Sequence, residues 1–141
     1  MTTDDMNLWR ERWLVCINEL TSLNLQKKSW LDMTNANPHW SYVEFMCSYF
    51  NDLGIDDNYK HPLDKGWLTD QEFGIIKEWH EALDKYDSSK NDDYGHIAIL
   101  NDSNWFDILQ IGLTMKEKLV ATLSERETEI LTEEINYLKF V

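Results

Sequence analysis

Apolar side chains recur along this chain at three- and four-residue steps, while the residues that would interrupt such runs are scarce, with five Gly and two Pro in 141 residues. A protein of many strands needs turn residues at short intervals. Helical period without that punctuation makes an all-α fold the expectation.

The first helix is expected from Asp4 or Asp5 to Leu20, because Trp9, Trp13, Cys16, Ile17 and Leu20 fall on one stripe and leave Arg10, Arg12 and Glu19 elsewhere. Asn37-Pro38 reads as a second start, an N-cap side chain followed by Pro at the first helical position, where the missing N–H costs nothing. Tyr42, Val43, Phe45, Met46, Tyr49 and Phe50 then fill an apolar face, and Gly54 offers a left-handed stop. Residues 23–34 are ambiguous, with Trp30 and Leu31 expected to tuck a turn or short helix against the core.

Thr69 and Glu72 have the spacing of a capping box, flanked by Leu68 and Phe73 as a hydrophobic staple. The buried stripe expected to follow is Phe73, Ile76, Trp79 or His80, Leu83 and Tyr86, with Gln71, Glu78, Glu81 and Lys85 on the wet side. Residues 96–100 suggest one short helix. Asp102 or Ser103 caps a longer helix with a broad face of Trp105, Phe106, Leu109, Leu113, Leu119, Val120 and Leu123. Ser124 and Glu127 repeat the capping-box spacing before a last helix carrying Ile130, Leu131, Ile135 and Leu138. The sum is about five principal helices in an orthogonal or bundle-like array, a single domain over residues 1–141.

The length suits one core. A hydrophobic content of 43% with 13% aromatics, including seven Trp, separates the chain from disordered acidic sequences. The richest apolar stretch, residues 42–50, is short and broken by Glu44 and Ser48, so no membrane span is expected. The acidic start lacks the basic and then apolar regions of a secretory signal, and a cytoplasmic location is expected. Cys16 and Cys47 read as reduced core thiols on separate helices.

The formal charge of −13 disfavours direct binding to nucleic acid or anionic lipid and favours cationic surfaces. The same charge also serves solubility alone.

Motifs for catalysis are missing. His80-Glu81-Ala82-Leu83-Asp84 departs from the zinc-protease helix motif at its second His, and no third ligand is evident. The acidic loops that start at Asp52 and Asp87 fail the calcium-loop pattern, which needs Glu at its twelfth position. There is no nucleophile elbow, P-loop or dinucleotide fingerprint. Neighbouring acids such as Asp56-Asp57, Asp92-Asp93 and Glu133-Glu134 do not face one another across a substrate. No catalytic residue, cofactor or metal is expected, and the chain is not read as an enzyme.

The middle of the chain does stand out. Residues 52–107 hold fourteen acids against five bases, interleaved with Tyr59, His61, Trp67, Trp79, Tyr86, Tyr94 and Trp105. Aromatic anchors within acidic rims suit a cationic protein partner. The expected contact set is Asp52, Asp56, Asp57, Asp64, Trp67, Glu78, Glu81, Asp87, Asp92, Asp93 and Tyr94. Trp67, beside Gly66 and just before a helix, either stands out as an anchor or packs beneath its own loop.

Gly66-Trp67-Leu68-Thr69, then Trp79-His80-Glu81-Ala82-Leu83-Asp84-Lys85-Tyr86, then Ile99-Leu100-Asn101-Asp102 with Trp105 following, resemble the small acidic helical immunity proteins of bacterial toxin systems, in particular those of contact-dependent growth inhibition. The resemblance covers the central and C-terminal half. It implies a stoichiometric inhibitor that binds a basic toxin domain, often a nuclease, and covers or distorts its active site. Two other readings stand beside it. One is a structural or adaptor subunit of a larger assembly, and the other a metal enzyme built on His80, Asp84 and a distant His39, His61 or His96.

Overall fold

A computed structural model describes residues 3–32, 34, 37–55, 58–87 and 95–136. Among them are eight α-helices and no strand: α1 (Thr3–Thr21), α2 (Leu23–Trp30), α3 (Tyr42–Cys47), α4 (Lys60–Lys65), α5 (Asp70–Lys85), α6 (His96–Leu100), α7 (Ser103–Val120) and α8 (Glu125–Thr132). A π-helical turn over Ser48–Asp52 prolongs α3. The chain is thus an all-α domain. Five of the helices correspond to the principal ones expected and α6 to the short helix expected over residues 96–100, while α2 and α4 are further short segments.

The long α1 is the hub. It packs against α2, α3, the π-helical turn, α7 and α8, while α5 lies against α7. Its Trp9–Trp13–Ile17–Leu20 stripe is buried as the period demands, and the Trp9 and Trp13 rings stack at 5.5 Å. Around this stripe gather Phe45, Tyr49, Trp79, Trp105 and Leu119, each almost inaccessible to solvent. Gly112 lets α5 and α7 approach closely: a methyl group there would sit 2.7 Å from Thr21 Cγ2 and 2.8 Å from Trp79 Nε1.

Local signals set several boundaries. The capping box of α5 is complete, with Thr69 Oγ1 accepting from Glu72 N–H at 3.1 Å and Glu72 Oε1 accepting from Thr69 N–H at 3.0 Å. Asp102 caps α7 by accepting from Asn104 N–H. Gly54 takes the left-handed conformation at φ +66°, as a stop requires.

Other positions differ from expectation. The third helix begins at Tyr42 and not at Pro38, because the Ser41 hydroxyl caps Glu44 N–H whereas Asn37 bonds His39 N–H and holds Pro38 in a turn. Leu31 lies past the end of α2 and is 43% exposed. On α7, Phe106 and Leu113 are 51% and 44% exposed instead of joining the core. Ser124 caps Glu127 N–H, but the Glu127 carboxylate reaches Arg10. Leu138 lies outside the described residues.

No helix among the described residues is long and apolar enough to cross a membrane. Cys16 and Cys47 are free thiols, the first buried and the second half-buried.

Candidate functional site

Asp52 ends the π-helical turn with its side chain exposed beside α1. Asp64, on α4, is exposed and pairs with Lys60 at 3.1 Å. Glu78 lines a cleft between α5 and α7 with Gln110 and Lys118, while Glu81 is half-buried on α5 and Asp87 exposed after it. Asp56, Asp57, Asp92, Asp93 and Tyr94 lie outside the described residues. Asp52, Trp67 and Glu78 line three different clefts.

Trp67 does not stand clear of the body. It is half-buried, its ring 6.0 Å from that of Trp9 and 5.5 Å from that of His61. The other six tryptophans are buried, and Tyr59 is wholly inaccessible. Among the described residues the exposed large aromatic side chain is Phe106, which periodicity had assigned to the core.

Two polar clusters inside the molecule are structural. In the first, Arg10 joins three helices: its guanidinium donates to Glu72 at 2.8 and 3.0 Å, to Glu127 at 2.7 Å and to the Trp67 carbonyl at 2.9 Å. Burial works against the charge on Arg10, yet its bonds to Glu72 and Glu127 outweigh that cost and hold it protonated. Burial likewise pushes the Glu72 carboxyl up, but donation from Arg10, Thr69 N–H and the Thr122 hydroxyl brings it below the usual range.

In the second, Trp13 Nε1 donates to the Tyr59 hydroxyl at 2.9 Å, Tyr59 bonds Tyr49, and the Tyr49 hydroxyl lies 2.9 Å from His80 Nδ1. Burial lowers the His80 pKa despite Asp84 and Glu81 nearby, so a neutral imidazole is the resting form. Tyr59 adopts a left-handed φ of +69°, uncommon for a side chain of its size. The buried hydroxyl contacts compensate that conformation.

The histidines of the metal reading serve separate places. His80 is in the core, His96 Nδ1 lies 3.1 Å from the Trp30 carbonyl, His61 edges Trp67, and His39 Nε2 lies 2.7 Å from Glu19 Oε2. Among the described residues no three metal-ligating side chains converge.

The surface feature with binding character is elsewhere. A groove of about 350 Å³ runs beside α1, floored by Leu8, Val15, Cys16 and Leu53 and edged by Glu11 and Asp52. It shares Val15, Glu19 and His39 with a second cleft of about 330 Å³, where Trp40, Ile130 and Ile135 meet Glu133 and Glu134. That cleft shares Asn18, Glu133 and Glu134 with a third, which carries Phe106 and Leu113. Four of the six exposed large apolar side chains among the described residues, Leu8, Val15, Phe106 and Leu113, therefore lie along one belt. Contiguous uncovered apolar surface rimmed by polar groups is the mark of an interaction site, in contrast to scattered exposure.

Charge along the belt is uneven. Glu19 is buried and held by His39, whose pKa is raised by the hydrogen bond it donates to Glu19, against the opposing effect of burial. Glu11 pairs with Arg126 at 3.1 Å. Asp52, Glu133 and Glu134 are exposed and have no ion pair among the described residues. Arg12 is the belt's exposed cation on α1, also without an ion pair there.

Sequence reasoning found Asp52 and missed the rest. A signal was present in α1, where Leu8 and Val15 stand one heptad apart and off the tryptophan stripe. No family model, curated relative or solved structure matches this chain.

Proposed function

We propose that this chain is a toxin-neutralising immunity protein, which binds a basic toxin domain, a nuclease in particular, one-to-one and blocks its active site. The observation that carries the reading is the belt of α1, where uncovered apolar side chains adjoin unpaired carboxylates on a helical body of net charge −13. Coulomb attraction speeds the encounter with a cationic surface, and burial of apolar side chains slows release. To a nuclease, exposed carboxylates present the charge of the phosphates it binds. The resemblance of residues 66–69, 79–86, 99–102 and 105 to immunity proteins supports the same reading.

The test is protection in cells. Expression of this chain beside its basic toxin is expected to restore growth, and the purified pair to elute as a one-to-one complex whose association rate falls with added salt. Unaltered toxicity at matched expression contradicts the proposal.

A further inference from the structure

We infer that the groove between α1 and the π-helical turn takes one helical segment of the basic partner, bearing two apolar residues a heptad apart, cations at both ends and an acid at its centre. The inference rests on the binding reading above and assigns the chemistry of the contact.

Leu8 and Val15 are two helical turns apart on one face of α1, about 10 Å along its axis. Both are exposed, at 51% and 39%. Apolar side chains with a spacing of seven residues on a partner helix match that separation. Asp52 lines the groove close to Cys16 of α1, and Glu133 and Glu134 line the adjoining cleft with Val15, so cations flanking the apolar pair have unpaired carboxylates in reach. Between Leu8 and Val15 comes Arg12, exposed and without an ion pair among the described residues. A cation at the segment's midpoint would meet it at close range; an acid there would pair with it.

Other surfaces carry less. Ile97 is 69% exposed but borders none of the clefts of the belt. The cleft beside Trp67 is lined by Arg10 and Arg126, which Glu72, Glu127 and Glu11 already hold. On the α7 stretch of the belt the cation is Lys116, which is half-buried and whose pKa burial lowers.

The probe is a synthetic amphipathic helical peptide with two leucines seven residues apart, a glutamate midway between them and lysines at both ends. Its control carries lysine at the midpoint and is therefore more cationic. The protein is expected to bind the glutamate-centred peptide several-fold more tightly, and Arg12→Glu to reverse that order. Replacing Leu8 and Val15 together by Ser, which leaves net charge unchanged, is expected to weaken binding about tenfold. Ile97→Ser is expected to leave it unchanged.

Tighter binding of the lysine-centred peptide to the wild type overturns the inference, since bulk charge then suffices. So does tighter binding once residues 137–141 are removed, which would identify the chain's own end as the occupant. A dimer dissolved by the Leu8/Val15 replacement would identify a second copy, with the same consequence. Protection from the toxin retained by the Leu8/Val15 variant removes the groove alone, whereas no protection by the wild type removes the immunity reading.

Discussion

The two faces of α1 bear equally apolar side chains and meet opposite fates. Trp9, Trp13, Ile17 and Leu20 are sealed beneath five neighbouring elements, whereas Leu8 and Val15, more than a third of a turn away around the same helix, stay in contact with solvent. Burial of a large apolar side chain is worth roughly 1.5–3 kcal/mol, so an uncovered pair beside a finished core forgoes stability that a partner can supply. The contrast separates what holds this domain together from what it offers to another molecule. Hydrophobicity alone does not make that distinction; position on the helix does.

The sharpest way to break the comparison is at Trp13, wholly buried and bonded to Tyr59. Trp13→Ala is expected to cost about 3–5 kcal/mol in denaturant unfolding. Glu72→Gln leaves Arg10 among half-satisfied partners at the junction of α1, α5 and α8, and is expected to cost about 3 kcal/mol by the same measurement. Gly112→Ala, which forces a methyl group into contact with Thr21 and Trp79, is expected to cost about 1–3 kcal/mol.

Acid titration probes the inner side in another way. His80 is buried neutral with its pKa lowered, so its contribution is fully present above the ordinary histidine value of about 6.5 and is lost as pH falls toward the folded-state value. Glu72, whose pKa is lowered too, adds a loss at more acid pH, once pH drops below the ordinary carboxylate range toward the folded-state value. His39 has the opposite sign: its pairing with Glu19 stabilises fully below the ordinary value and fades as pH rises through the raised one. Removing it with His39→Gln is therefore expected to steepen the loss of stability between pH 7 and pH 5, as followed by thermal unfolding. The smallest effect belongs to the outer face. Leu8→Ser and Val15→Ser are each expected to change stability by no more than about 0.5 kcal/mol while weakening partner binding.

Much of the fold was legible because it rests on short-range rules. The capping box at Thr69, the cap at Asp102 and the tryptophan stripe of α1 depend on spacing alone, and each took the expected form. Pro38 misled because two candidate caps stand four residues apart, and the Ser41 side chain captured the helix start. The α4 segment follows Asn58 and Tyr59 in left-handed conformations, of which that of Tyr59, a residue type uncommon there, has no mark in the local sequence.

The candidate site was harder to read. Asp52 is on the belt, yet the aromatic anchors sought in the middle of the chain are mostly inside, because a domain of this size needs its rings for the core. Phe106 and Leu113 followed helical spacing and still lie outside, at the rim of the cleft that α7 forms with the end of α1 and the start of α2. Glu133 and Glu134 adjoin Val15 only through the packing of α8 on α1, a contact between residues more than a hundred positions apart.

The most direct test is amide chemical-shift mapping by nuclear magnetic resonance as the glutamate-centred cationic peptide is added to the full chain. The account predicts changes concentrated over residues 8–19, at Asp52 and over residues 130–136, with α5 and the segment around Trp67 unmoved. Changes centred on Trp67 and the exposed edge of α5, or spread evenly over the acidic surface, would contradict it.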